Sequence, residues 1–149
     1  MRVKSFLAAL VILLGVNVAF AQDDKSHKMI SLAIEKELAF DKLIDFLQEE
    51  ELFILSVDKQ AGFIQAKVFV EDKSFFSSKN GVRNTMNFII RPKGEQTNVT
   101  LNINVEEQRF KASSYYYEDQ GISKDVAVYK DILDKLQLSM SSDGEPIKK

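Results

Sequence analysis

The chain contains no cysteine, no tryptophan, two prolines and a single histidine. Each scarcity closes off some chemistry. Without cysteine there is no disulfide, no thiolate nucleophile and no thiolate metal site, so packing alone must hold the fold. A lone histidine, His27, leaves a Ser–His–Asp triad with one candidate base, in a polar stretch near the N-terminus. It reads there as an ordinary exposed residue, because a base or metal ligand needs partners held at fixed distance. No Gly-rich phosphate loop, calcium loop or His-rich tract occurs. No metal and no cofactor is therefore expected.

Long apolar runs are also scarce, with one exception at the start. Arg2 and Lys4 precede the apolar run Phe6–Val16, and Ala19-Phe20-Ala21 places small residues where a signal peptidase needs them. Residues 1–21 read as a secretory signal peptide cut after Ala21, which predicts a periplasmic or secreted protein. The run is shorter than the ~20 residues a membrane span requires, and no cysteine follows it to carry a lipid anchor. No integral span after signal removal and no lipid anchor are expected.

Removal of Arg2 and Lys4 with that leader leaves 18 basic residues against 22 acidic, a net charge of −4. An acidic domain lacks the phosphate-neutralising charge that governs nucleic-acid binding, so no nucleic acid is expected as partner. The remaining 128 residues suffice for one domain with one core. They divide into a flexible lead at 22–28, a single domain at 29–140 and a disordered tail at 141–149.

Within the domain, Ile30, Leu32 and Ile34 alternate with smaller residues and predict a first strand. Phe40, Leu43, Ile44 and Leu47 follow at helical spacing, without a good capping residue before them. The runs LFILSV and FIQAKVFV, joined by a turn containing Gly62, predict a hairpin. EDKSFFSSKNG predicts a loop ending in the turn signal Asn80-Gly81. VRNTMNFIIR and TNVTLNINV predict a second hairpin around PKGEQ. Met86, Phe88 and Ile90 share one side of it with Val99, Leu101, Ile103 and Val105. Thr85, Asn87, Thr100, Asn102 and Asn104 share the other. The sequon Asn98-Val99-Thr100 falls inside a predicted strand. The phase breaks after Val105, where Phe110 and Ala112 take the parity of Asn102, so the strand must bulge, bend or end there.

SSYYYEDQG reads as a loop closed by Gly121. A second helix follows, capped by Ser123, with the stripe Ile122, Val126, Tyr129, Leu133 and Leu136 and a supporting Asp131–Lys135 pair. The expected fold class is α+β: an antiparallel sheet of about five strands in the order β-α-β-β-β-β-α, with both helices on one face. That order, and the stretch FDKLIDFLQEEELFILSVDKQAGFIQAKV in which an amphipathic helix leads into a hairpin, resembles the TATA-binding-protein-like fold. It is also similar to the modules of a lipoprotein of the outer-membrane-assembly machinery. The resemblance implies a small secreted bacterial domain of unknown function; it assigns no catalytic or ligand-binding residue.

The candidate binding residues lie on two surfaces. The sheet face opposite the helices carries Phe63, Phe69, Ile89, Asn87 and Asn102 among other polar side chains. The loops carry Tyr115, Tyr116, Tyr117, Phe75 and Phe76. Three successive residues cannot face one side of a strand. The tyrosines are expected either as a lid over the core edge beside the second helix or, with Phe75 and Phe76, as an aromatic rim. The leading functional expectation is an exported, non-catalytic protein-interaction or assembly domain that self-associates through its open sheet face. The alternative is a small-molecule or lipid carrier with an apolar pocket between sheet and helices.

Overall fold

The computed structural model describes residues 26–71 and 79–142. The leader, residues 22–25, Phe75, Phe76 and residues 143–149 lie outside that range. A short 3₁₀ turn, Ser26–Lys28, enters strand β1 (Met29–Leu32) and helix α1 (Lys36–Glu49). Strands β2 (Phe53–Asp58), β3 (Phe63–Glu71), β4 (Lys79–Lys93), β5 (Gln96–Lys111) and β6 (Ser114–Ile122) follow, and helix α2 (Val126–Ser142) closes the domain. All pairings are antiparallel, in the spatial order β1-β5-β4-β3-β2, with β6 also on β5. The fold is α+β, with one strand more than the alternation predicts.

The two-residue period sets the layers. Ile64, Ala66, Met86, Phe88, Ile90, Val99, Leu101 and Ile103 are all buried on one face. Against them pack Ala39, Phe40, Leu43, Phe46 and Leu47 of α1 and Tyr129, Leu133, Leu136 and Met140 of α2. Asn102 and Asn104 point to the other face and are half-buried. Burying apolar area at ~25 cal/mol per Å² makes this interlayer the main source of stability. The carrier reading required an apolar pocket here; the space is instead filled by Phe40, Phe88, Leu101 and Tyr129, none more than 1% exposed.

Helix α1 has Glu35 at its N-cap position, where the side chain makes no capping hydrogen bond. It ends in a tight motif in which Leu52 N–H donates to Leu47 C=O (2.9 Å) and Glu51 N–H to Gln48 C=O (3.1 Å). Glu51 takes the left-handed position (φ 56°) that glycine usually fills. Lys59 Nζ, 2.6 Å from Asp41 Oδ1, ties α1 to the β2–β3 turn. In that turn Gly62 has φ 63°, and a Cβ there would stand 2.4 Å from the Ile90 carbonyl oxygen. Ile90 N–H donates to that glycine's own carbonyl at 2.8 Å. Asn98, in β5, accepts a hydrogen bond from Ser31 Oγ at 2.8 Å, so the sequon does lie in a strand.

Several expectations need correction. Asn80-Gly81 does not end a loop; both residues sit in β4, where the register against β5 slips between Lys79 and Gly81. The tyrosine segment is a strand, not a loop. Ala112 and Ser113, both at positive φ (50° and 65°), make a two-residue turn that folds β6 back on β5. Such turns usually carry Asn-Gly, which is why this one is silent in the sequence. The phase break after Val105 coincides with a register slip between β5 and β6 at Val105/Glu106. Ile122 ends β6 and is exposed, as is Val126, so the buried stripe of α2 begins at Tyr129. Asp125, not Ser123, caps α2: its Oδ1 accepts from Ala127 N–H at 3.0 Å, while Ser123 Oγ accepts from Asp125 N–H at 3.2 Å. Ser141 and Ser142, expected in the tail, still belong to α2.

Strand β5 has two successive partners on one edge: β1 pairs with residues 97–100, and β6 with residues 104–111. Between them lies Ile103. Its carbonyl accepts from Ser123 N–H (2.8 Å), and its N–H donates to the hydroxyl of the fully buried Tyr129 (3.2 Å). That hydroxyl in turn donates to Ser123 C=O at 3.3 Å. His27, expected in a mobile lead, instead packs edge-on against Tyr129 with ring centroids 5.3 Å apart. Lys28 Nζ stands 5.0 Å from the same ring.

Two stability changes follow. Tyr129→Phe keeps the ring but strands Ile103 N–H, and should lose about 1–3 kcal/mol in urea unfolding. Replacing Ala112-Ser113 by Asn-Gly relieves two left-handed non-glycine residues, and should raise the unfolding free energy by about 1–2 kcal/mol in the same measurement.

Candidate functional site

Beyond Asn104 the character of the sheet changes. Its helix-side face there carries an ion cluster, with Arg109 Nη2 2.6 Å from Glu107 Oε2 and Arg109 Nε 2.6 Å from Glu118 Oε2. Its open face carries aromatic rings and one organised ion pair. Register places Phe69, Arg83, Glu106 and Asp119 in a single row across β3, β4, β5 and β6. The next row toward the domain centre runs Phe53, Lys67, Thr85, Asn104 and Ile122.

Arg83 is the hub. Its Nε and Nη2 reach Glu106 Oε2 and Oε1 at 2.7 and 2.8 Å, a two-pronged contact that fixes the guanidinium plane. Its Cζ lies 3.7 Å from the ring centroid of Tyr117, so the cation is stacked on that ring. Tyr117 is held from its far end: Gln108 Nε2 donates to its hydroxyl (3.1 Å), and Asn80 Nδ2 donates to Gln108 Oε1 (2.5 Å). The bulged Asn80 thus has a use. Next to it, Gly81 is buried under Phe69. A Cβ at Gly81 would stand 2.5 Å from Phe69 Cζ and 2.6 Å from Val70 O, so the ring lies where a side chain would be.

A second cation–ring pair lies one row away, with Lys67 Nζ 5.0 Å from the centroid of Phe53. Between the pairs is a shallow groove of about 460 Å³, lined by Glu51, Phe53, Lys67, Val68, Phe69, Arg83 and Tyr117. Hydrogen bonding to Arg83 holds the Glu106 carboxyl below the usual glutamate range, and the same bond raises Arg83. Asp119 opposes the shift on Glu106 only weakly. Glu106 is therefore committed to the charged form, which suits a fixed electrostatic anchor and not proton transfer near neutral pH. No group of three or more His, Asp or Glu side chains poised for a metal occurs among the described residues.

The residues singled out in the sequence are dispersed. Tyr117 and Phe69 line the groove. Tyr115 lies on the same face beyond it, its ring 5.0 Å from that of Phe110, while Tyr116 pairs opposite Arg109 and faces the other way. All three tyrosines are 40% or more exposed, so none is a lid over the core. Asn87 accepts from Gln65 Nε2 at 2.7 Å, with Asn102 next in that row. Phe63 and Ile89 pair at the other end of the sheet, away from the groove. Glu51, Phe53, Lys67, Val68 and Arg83 also line the groove and were not among the candidate residues. Glu106, which clamps Arg83, falls in the polar run EEQRF, where the alternation fails.

No protein-family model and no curated protein matches the chain. Among solved structures it is similar to the crystal structure of a DUF4468 family protein from Bacteroides ovatus, with a TM-score of 0.40 and 13% identity over 83% of this chain and 91% of that one.

Because Glu106 is lowered by a native contact, its stabilising effect is present above the unfolded glutamate pKa and is lost as pH falls through the lower folded value. Glu106→Gln should cost about 1 kcal/mol at neutral pH, and its deficit relative to the parent should vanish in acid. Urea midpoints across a pH series measure it.

Proposed function

We propose that this chain is an exported, non-catalytic recognition domain that holds a segment of a partner protein in the groove on its open sheet face. The observation that carries this reading is the Arg83–Tyr117 stack clamped by Glu106, one row from the Lys67–Phe53 pair. Rings and guanidinium groups already fixed in place lose little entropy when a partner arrives, and such residues dominate protein interfaces. The groove is shallow and open, which fits a loop or extended segment better than an enclosed small molecule. Among the described residues Lys67 has no carboxylate partner, so an acidic side chain beside an apolar one is the complement this surface favours.

Peptides selected for binding from a random displayed library test the reading. Selected binders should combine an apolar and an acidic residue, and should weaken about tenfold or more on Arg83→Ala or Phe69→Ala. They should bind Leu138→Ala, altered at an exposed position on α2, as well as the parent. Failure to enrich any binder, or binders indifferent to both groove substitutions, would remove the proposal.

A further inference from the structure

Among the described residues, strand β2 pairs with β3 alone. An unpaired edge offers a row of backbone donors and acceptors, and proteins ordinarily blunt such edges with lysine, proline or a covering element. β2 has neither residue. Its first five residues, Phe53-Ile54-Leu55-Ser56-Val57, are uncharged, and Phe53, Leu55 and Val57 are 63%, 42% and 47% exposed. Val57 is the telling case: it pairs with the fully buried Ile64 on the helix side, yet the helices leave it in water. The opposite edge differs. Its outer strand β6 carries Glu118 and Asp119 in mid-strand, and β1 is only four residues long.

The register against β3 supplies the occupant. The slip between Ile54 and Ser56 makes Leu55–Ser56 one bulged position, so β2 is five positions long. Phe53 and Asp58 stand at its two ends on the open face, and Ile54 and Val57 stand inside them on the helix side, with the bulge at the centre. The strand is its own antiparallel complement. A two-fold axis through the bulge sets Phe53 opposite Asp58 of a second copy and Ile54 opposite Val57, every pair on a matching face. It also sets that Asp58 in the row of Lys67 with Phe53 between them, a favourable charge placement across two strand spacings that leaves Lys67 open to the groove. We infer that this edge joins two copies of the chain through β2 into one continuous sheet with closed two-fold symmetry. The contact is edge to edge, and leaves the open face of each copy available.

The absence of cysteine makes the test direct. Cross-strand neighbours at a two-fold axis have Cα atoms roughly 4.5–5.5 Å apart, within disulfide reach. Ser56→Cys should therefore give a disulfide-linked dimer under mild oxidation, whereas Leu138→Cys on α2 and Tyr115→Cys on β6 should stay monomeric at the same concentration. Independently, the unmodified chain should weigh as a dimer by light scattering at high concentration. Val57→Lys should make it monomeric with an unchanged circular dichroism spectrum and, at dilutions where the parent is also monomeric, an unchanged urea midpoint. A parent that is monomeric throughout, or Ser56→Cys that links no faster than the two controls, overturns the inference. So does a dimer insensitive to Val57→Lys that links at Tyr115→Cys, since the contact then lies on the other edge.

Discussion

The sheet depends on one backbone amide finding a side-chain partner. Strand β5 serves two strands in succession along the same edge, and no strand can pair at the seam between them. Ile103 N–H points into that seam and would be buried without a partner, at a cost comparable to a lost hydrogen bond. Tyr129 is long enough to reach it from α2, and its ring is then walled in by His27 on the N-terminal side. One phenol joins the helix, strand β5, the Ser123 carbonyl that follows β6 and the N-terminal turn. The position of α2 over the sheet and the docking of Ser26–Lys28 are both tied to this contact.

The seam also divides the molecule chemically. On the core side, the ladder of β4 and β5 is covered by helices and its register is set by apolar alternation. On the far side the same two strands continue with β6, and their order comes from cross-strand polar contacts: Arg83 with Glu106, Gln108 with Tyr117, Asn80 with Gln108. Surface contacts of this kind contribute modestly to stability. Their effect is to orient rings and charges on an exposed face, which is the property a recognition surface requires.

What could be read from the residues follows the same division. The core was legible because burial imposes a period: Met86, Phe88 and Ile90 against Val99, Leu101 and Ile103 leave one possible register. The far half was not, because neither face is covered and nothing forces alternation there. Strand β6 was hidden by its turn, in which Ala112 and Ser113 adopt a conformation that composition does not announce. Asn80-Gly81 misled in the opposite sense, since its glycine accommodates the ring of Phe69 and not a chain reversal. Of the groove, a linear reading singled out only Phe69 and Tyr117, and not that they meet in it. Glu51, Phe53, Lys67, Arg83 and Tyr117 come from five places in the chain, and only the pairing of β2 through β6 assembles them.

The pairing of Met29 with Thr100 has a kinetic meaning. The first strand has nothing to hydrogen-bond with until two thirds of the polypeptide has appeared, and the seam stays open until Tyr129 arrives still later. Topologies built on such distant partners fold slowly, because long loops must close before any contact rewards them. A newly made chain of this design therefore cannot close its sheet until most of it has been synthesised.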